Sequence, residues 1–257
     1  MSSLPSTRPR ILITGASSGI GKATAVTLGP HCDGMILVSR SIEKLHETAM
    51  QSHCAAKVVG LDLSDPLQRP PLMSMLNGSV PPITCVVHCA GSGLPRTIDE
   101  ITIEEMRRLQ ELHVYSLIEI VQAVLPGMKA AGYGRIISIG SLAPHRPGSF
   151  MTAYAASKAS MRTAMQCIAD EVVTSGITVN IISPGSVDTE LGNAGRNVLA
   201  QLSGKSAEQL KADRIGHLPS GLISPRAIAE VVQFLLSPSN QALSGQDIII
   251  AGTLVMR

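Results

Sequence analysis

The sequence predicts an α/β fold in which a doubly wound parallel sheet carries helices on both faces. Three observations point there. Short aliphatic or β-branched runs recur seven times, longer patterns with apolar residues at spacings of three and four lie between them, and a glycine-rich turn joins the first run to the first helical pattern. At 257 residues and 44% hydrophobic side chains the chain can bury one sizeable core, and no repeat, low-complexity tract or linker divides it. Residues 1–257 are read as a single domain.

Taken in order, the strand runs are Arg10–Thr14, Gly34–Ser39, Lys57–Leu61, Ile83–His88, Arg135–Ile139, Ile177–Ile182 and Asp247–Ala251, each bounded by Gly, Pro, Ser or Asp near at least one end. The helical periodicity is strongest over Ile103–Ala131 and Ala153–Thr174, and Pro126 is expected to end or kink the first of these. Across Asp65–Val80, the residues Pro66, Pro70 and Pro71 permit only a short helix. The polar, glycine-rich segment 188–224 reads as a mobile region that sets substrate choice.

Composition excludes several functions. Aromatic residues make up 2% of the chain, with three Tyr, two Phe and no Trp, which is a poor platform for stacking unpaired bases. A net charge of +2 gives no field that would draw a polyanion, so no nucleic-acid partner is expected. Five cysteines at irregular spacing argue against a disulfide framework and for a reducing compartment. No apolar run reaches the length of a signal peptide or a membrane span, so the expected location is the cytoplasm.

After the first strand the chain reads Thr14-Gly15-Ala16-Ser17-Ser18-Gly19-Ile20-Gly21-Lys22. Such a turn places backbone N–H groups and a helix N-terminus where a pyrophosphate can sit, the arrangement of a Rossmann-like sheet. An ATPase-type phosphate loop is a poor match, because five residues separate Gly15 from Gly21 and Ala23 stands where a Ser or Thr would hold magnesium. At the end of the second strand Ser39 replaces the acidic residue that would meet an adenine ribose, and Arg40 follows it. A guanidinium there can bind a 2′-phosphate, which argues for NADP(H). Asp62, ending the third strand, can accept from the adenine amino group or cap its own turn.

Ser141 follows the fifth strand, and Tyr154 and Lys158 lie four apart on one face of the next helix. A phenol with an ordinary pKa of about 10 is a poor base at neutral pH, and a nearby ammonium is expected to lower it. Ser141 can then hydrogen-bond the substrate oxygen.

In this order Thr14 to Gly21, Ala90-Gly91, Ser141, Tyr154-x-x-x-Lys158 and Pro184-Gly185 with Thr189 resemble the short-chain dehydrogenase/reductase family in its compact form, over essentially the whole chain. The resemblance implies that Tyr154 exchanges a proton with the substrate oxygen, that Ser141 positions that oxygen, and that Lys158 holds the nicotinamide ribose. It also assigns cofactor contacts to Gly15, Ser17, Ser18, Gly19, Ile20 and Gly21, to Ala90 and Gly91, and to Pro184, Gly185, Val187 and Thr189. A homodimer or homotetramer built on the two long helices is likewise implied.

Two positions depart from the family pattern. His88-Cys89 stands where two Asn are common, and His113 stands thirteen residues before Pro126, where many relatives carry a catalytic Asn. An imidazole can donate and accept, so His113 is expected to join an altered proton path. Cys85, His88 and Cys89 do not suggest a metal, since neighbours along a strand face opposite ways, and Cys89 is instead a candidate for oxidation if exposed. The leading reading is an NADP(H)-dependent enzyme interconverting a carbonyl and an alcohol of a small-molecule substrate. Its rivals are a catalytically silent NADP(H)-binding regulator and an extended-type sugar-nucleotide epimerase, for which the chain leaves little room.

Overall fold

The computed structural model describes residues 8–93, 95–206, 209 and 221–251. Seven strands form one parallel sheet in the order β3-β2-β1-β4-β5-β6-β7. They are β1 (Arg10–Thr14), β2 (Gly34–Ser39), β3 (Ala56–Gly60), β4 (Cys85–His88), β5 (Gly134–Ile139), β6 (Ile177–Pro184) and β7 (Asp247–Ile250). The expected doubly wound architecture is present, with shifts of one or two residues at several strand ends. Strand order reverses between β1 and β4, which pair from Ile11 with Cys85 to Thr14 with His88. Ligands of such sheets bind outside the carboxyl ends of the strands at that reversal.

Alternation along each strand divides the core in two. Leu12, Ile36, Val86, Ile136 and Val179 face one cluster, closed by α3 (Pro70–Asn77), α5 (Ser116–Ala131) and α6 (Thr152–Val172). Ile11, Ile13, Leu37, Val87 and Ile137 face the other, closed by α1 (Gly19–Leu28) and the helix Pro225–Leu236. Helix α2 (Ile42–Ser52) lies between β2 and β3.

Three expectations are corrected. The long pattern Ile103–Ala131 is two helices, α4 (Ile103–Gln110) and α5, joined by a π turn at Glu111–Tyr115. Pro126 neither ends α5 nor sits at this break, because Pro126 and Gln122 are on the exposed face, where the carbonyl left without a donor meets water. Segment 188–224 opens with a regular helix, α7 (Glu190–Ser203), whose Thr189 hydroxyl accepts from Gly192 N–H. Its glycines did not prevent this, since Gly204 serves as the left-handed cap. Residues 207, 208 and 210–220 lie outside the described residues. Beyond them α8 (Pro225–Leu236) is capped by Ser224, whose hydroxyl accepts from Ala227 N–H.

The π turn is tied to the α3 side of the molecule by Arg69. Its guanidinium donates to the Leu63 and Glu111 carbonyls and pairs with Glu111 at 2.7 Å and Glu119 at 3.0 Å, with only 2% of its side chain exposed. Arg69→Ala therefore takes a donor from two carboxylates and from the Leu63 carbonyl, and one of two donors from the Glu111 carbonyl, and is expected to destabilise the fold by about 2–4 kcal/mol. Urea unfolding checks this, and a change under about 0.5 kcal/mol would mean that Arg69 contributes only as a surface residue does.

Candidate active site

Between β1 and α1 the chain must turn against the end of β4. Gly15 has φ +64°, and a Cβ there would stand 2.8 Å from Ala90 N, so only glycine fits. The Thr14 hydroxyl accepts from Ala90 N–H at 3.0 Å and meets His88 Nδ1 at 3.0 Å. Burial and the Lys158 charge push the His88 pKa down to about 3, so the ring is neutral.

A cavity of about 970 Å³ opens at the carboxyl ends of the strands. Its wall includes Gly15, Ser17, Ser18, Gly19, Ile20 and Gly21 of the turn, and Ser39 and Arg40 after β2. Asp62, Ala90, Gly91 and Thr189 complete the sequence-derived residues that meet there. Pro184, Gly185 and Val187 are not on this wall, nor are Ser141, Tyr154, Lys158 and His113. Gly185 N–H donates to Ile250, Val187 bridges Ile223, and the Pro184 carbonyl accepts from Leu142 N–H.

Asp62 behaves as a cap. One carboxylate oxygen accepts from the backbone and hydroxyl of Ser64, and the other from Arg108 at 3.1 Å. Burial raises its pKa, but the Ser64 bonds and the Arg108 and Arg40 charges outweigh burial and hold it low.

Ser141 begins the loop after β5, and its oxygen accepts from Ala143 N–H at 3.1 Å. Tyr154 stands in the first turns of α6. Burial raises the phenol pKa and the Ser141 contact opposes the rise without cancelling it. Lys158, one turn on, donates from Nζ to the Ile139 carbonyl at 2.8 Å. Burial pushes its pKa down to about 8, against the opposing influence of Cys89. On balance the phenol is raised, against the expected net lowering by the ammonium, because burial outweighs the opposing contributions. Burial likewise pushes the Cys89 thiol up to about 12, which keeps it protonated and makes it a poor candidate for oxidation.

His113 lies in the π turn and is fully buried. Nε2 accepts from Ser92 N–H at 3.1 Å, so the proton is on Nδ1, which donates to Ser157 Oγ at 2.9 Å. Ser157 in turn donates to the Tyr154 carbonyl at 2.8 Å. The ring stands edge-on to Tyr154, with centroids 5.8 Å apart. Burial, then the Lys158 charge, hold its pKa well below the usual range.

Two contributors escaped the sequence reading. Gly93 has φ +151°, and a Cβ would lie 2.3 Å from Tyr154 Cδ2. Phe150 adopts a left-handed backbone, φ +69°, and its carbonyl accepts from Arg96 N–H at 2.9 Å, joining the loops after β4 and β5. The pattern Gly91-Ser92-Gly93 carried a turn signal but nothing about which ring it meets. No cluster of His, Cys, Asp or Glu able to hold a metal occurs among the described residues, nor is any of their helices long and apolar enough to cross a membrane.

A sheet of this order, with a glycine turn at its reversal and a Ser, Tyr and Lys gathered beside it, defines an oxidoreductase of the doubly wound α/β class. Residues 9–198 match the family model for short chain dehydrogenase, and the chain belongs to that family. It is 31% identical to an uncharacterised oxidoreductase of Staphylococcus epidermidis over 180 residues, 70% of this chain and 78% of that one. It is 26% identical to the 3-oxoacyl-acyl-carrier-protein reductase of Escherichia coli strain K12, covering 95% and 96% of the two chains. The crystal structure of L-sorbose reductase from Gluconobacter frateurii complexed with NADPH and L-sorbose is similar with TM-score 0.87 and 26% identity, covering 98% of each chain. A variant of the actinorhodin polyketide ketoreductase with NADPH gives TM-score 0.86 and 25% identity, over 96% and 97%.

Because the Gly93 backbone touches the Tyr154 ring, Gly93→Ala is expected to shift the phenol. A displacement near 1 Å can cost on the order of a hundredfold in rate, so turnover should fall by about ten- to a hundredfold while dinucleotide binding, followed by fluorescence, persists. Wild-type turnover in this variant would show that the contact does not set the ring.

Proposed function

We propose that the chain is an NADP(H)-dependent oxidoreductase that interconverts a carbonyl and a secondary alcohol of a small molecule, acting as a single catalytic domain. The observation that carries this reading is the cavity that begins on the glycine turn and is lined further on by Gly93, packed on the Tyr154 ring, and by Ala153, its chain neighbour, with Lys158 one turn on along α6. The cavity fits a dinucleotide on two counts. Gly15 leaves the backbone bare where a Cβ would collide with Ala90, and the wall reaches the exposed Arg40 with no acidic side chain at position 39. Lys44 adds a second cation on that wall, and its 3.5 Å pair with Glu190 is exposed on both sides and weak enough to yield to a phosphate.

When bound, the nicotinamide supplies or receives the hydride at the carbonyl carbon. Ser141 holds the substrate oxygen, and Tyr154 donates its phenolic proton to that oxygen as the alcohol forms. A phenol raised by burial is protonated at neutral pH, which suits it to the reductive direction. Lys158 carries the positive charge that steadies the phenolate left behind. His113 acts by position, since both its nitrogens are already used by Ser92 and Ser157. Pro184, Gly185, Val187 and Thr189 are assigned to the nicotinamide end by the family motif, and α7 with the loop after β5 to substrate choice.

The five free thiols support a cytoplasmic protein. The exposed Ile103 and Tyr115 on the α4 and π-turn surface support a homodimer or homotetramer, which light scattering measures.

The test is NADPH oxidation against a panel of ketones, quinones and short 3-oxoacyl thioesters. Turnover is expected on at least one class, with Tyr154→Phe lowering kcat by about 10²–10⁴. NADPH binding without turnover on any class, and an unaffected Tyr154→Phe variant, would favour a silent regulator. Arg40→Ala should raise KM for NADPH by about tenfold or more and leave NADH unchanged. Equal effects on both cofactors would remove Arg40 from the 2′-phosphate.

A further inference from the structure

Outside the Ser141, Tyr154 and Lys158 set, a buried polar cluster lies where β6, β7, α6 and the loop after β5 converge. Asp247, at the start of β7, has only 9% of its side chain exposed. One of its oxygens accepts from Ser183 Oγ at 2.5 Å and the other from His145 Nε2 at 2.7 Å. Arg162 Nη1 approaches both ring nitrogens, Nδ1 at 3.3 Å and Nε2 at 3.5 Å, and Nε2, set on the carboxylate, carries a ring proton. Arg162 Nη1 also stands 4.0 Å from the carboxylate. Serine and histidine both contact the aspartate and not each other, so the trio is not a nucleophile with its base.

A buried carboxylate is costly unless it is paired and hydrogen-bonded, and this one is saturated by groups from three other elements. What those groups share is the turn that carries Ser141. Leu142 N–H donates to the Pro184 carbonyl at 2.9 Å, and the N–H groups of His145 and Arg146 both return to the Leu142 carbonyl at 3.0 Å. The turn is therefore fixed to β6 at its first residue and to β7 through the His145 side chain. Beyond it, residues 146–149 are exposed up to the strained Phe150. Arg162 lies four residues past Lys158 and eight past Tyr154 on α6, so the same cluster refers the Ser141 turn to the helix that bears the other two groups.

We propose that His145 is a positioning residue: anchored on Asp247 and braced by Arg162, it locks the Ser141 turn to β7 and α6 and so sets the distance between the Ser141 hydroxyl and the Tyr154 phenol. It does this without touching substrate. The assignment deepens the carbonyl–alcohol reading above and, for its kinetic arm, rests on it.

Hydrogen–deuterium exchange of residues 141–151, with and without NADPH, reads the clamp directly. His145→Ala is expected to raise exchange across 142–146 and, in turnover, to lower kcat by about tenfold or more with KM for NADPH within about twofold. His145→Gln keeps a donor toward Asp247 and is expected to recover both protection and at least about half of the wild-type kcat. Adding Asp247→Asn to His145→Ala should cost little more than either change alone, since the two act as a unit. Unchanged exchange in His145→Ala would overturn the proposal, as would a Gln variant no better than Ala, or additive losses in the double variant. Should His145→Ala fail to fold, His145→Gln against Asp247→Asn carries the same comparison. Should the wild type turn over no carbonyl at all, the functional reading fails while the exchange data still decide the clamp.

Discussion

Between Gly15 and the end of β4 there is no room for a side chain, and that closeness sets the rest of the site. Thr14, the last residue of β1, spends its hydroxyl on Ala90 N–H and His88, so the turn that would receive phosphates and the strand end that flanks the reacting groups move as one piece. Gly91 extends the relation inward. A Cβ there would lie 3.5 Å from His113 Nε2 and 3.7 Å from Lys158 Nζ. Backbone and ammonium thus meet across a single small residue.

The two imidazoles belong to this contact. His88 closes the β1–β4 junction, and His113 ties Ser92 to Ser157, from which the bond to the Tyr154 carbonyl fixes the start of α6. An amide carries a donor and an acceptor on a short arm, whereas an imidazole spreads the same two functions across a ring that also fills volume. In a chain with only three Tyr, two Phe and no Trp, that volume has structural use. The Tyr154 ring finds its one edge-on ring partner in His113 among the described residues. The scarcity of aromatics therefore leaves the phenol to be packed by glycine backbone on one side and a histidine edge on another.

Much of the fold was legible because strand alternation and helix spacing are local. Strand β1 and strand β2 fall where the pattern puts them, and the glycine turn and the Tyr154–Lys158 spacing name their elements directly. What escaped depends on contacts distant in sequence. The π turn at Glu111–Tyr115 is held by Arg69, some forty residues away, and no periodicity within Ile103–Ala131 announces it. Helix α7 was obscured by glycines that cost helix propensity yet do not forbid a helix whose N-terminus is well capped. The role of Gly93 needed the position of a ring sixty-one residues on, and the His145–Asp247 pair joins residues a hundred and two apart.

Lys158 presents the sharpest electrostatic question. It is a buried cation whose hydrogen bond goes to a neutral carbonyl, with two histidines nearby that remain neutral. Such a charge is disfavoured in the resting protein, which is why its pKa falls to about 8. On the proposed reaction the missing anion is made in place: as Tyr154 gives up its proton, the phenolate forms one helical turn from the ammonium. An interaction absent from the ground state and present as charge develops lowers the barrier selectively, whereas a permanent carboxylate partner would stabilise both states alike. On the proposed reaction, the want of a carboxylate paired with Lys158 among the described residues is therefore part of what suits the site to proton transfer.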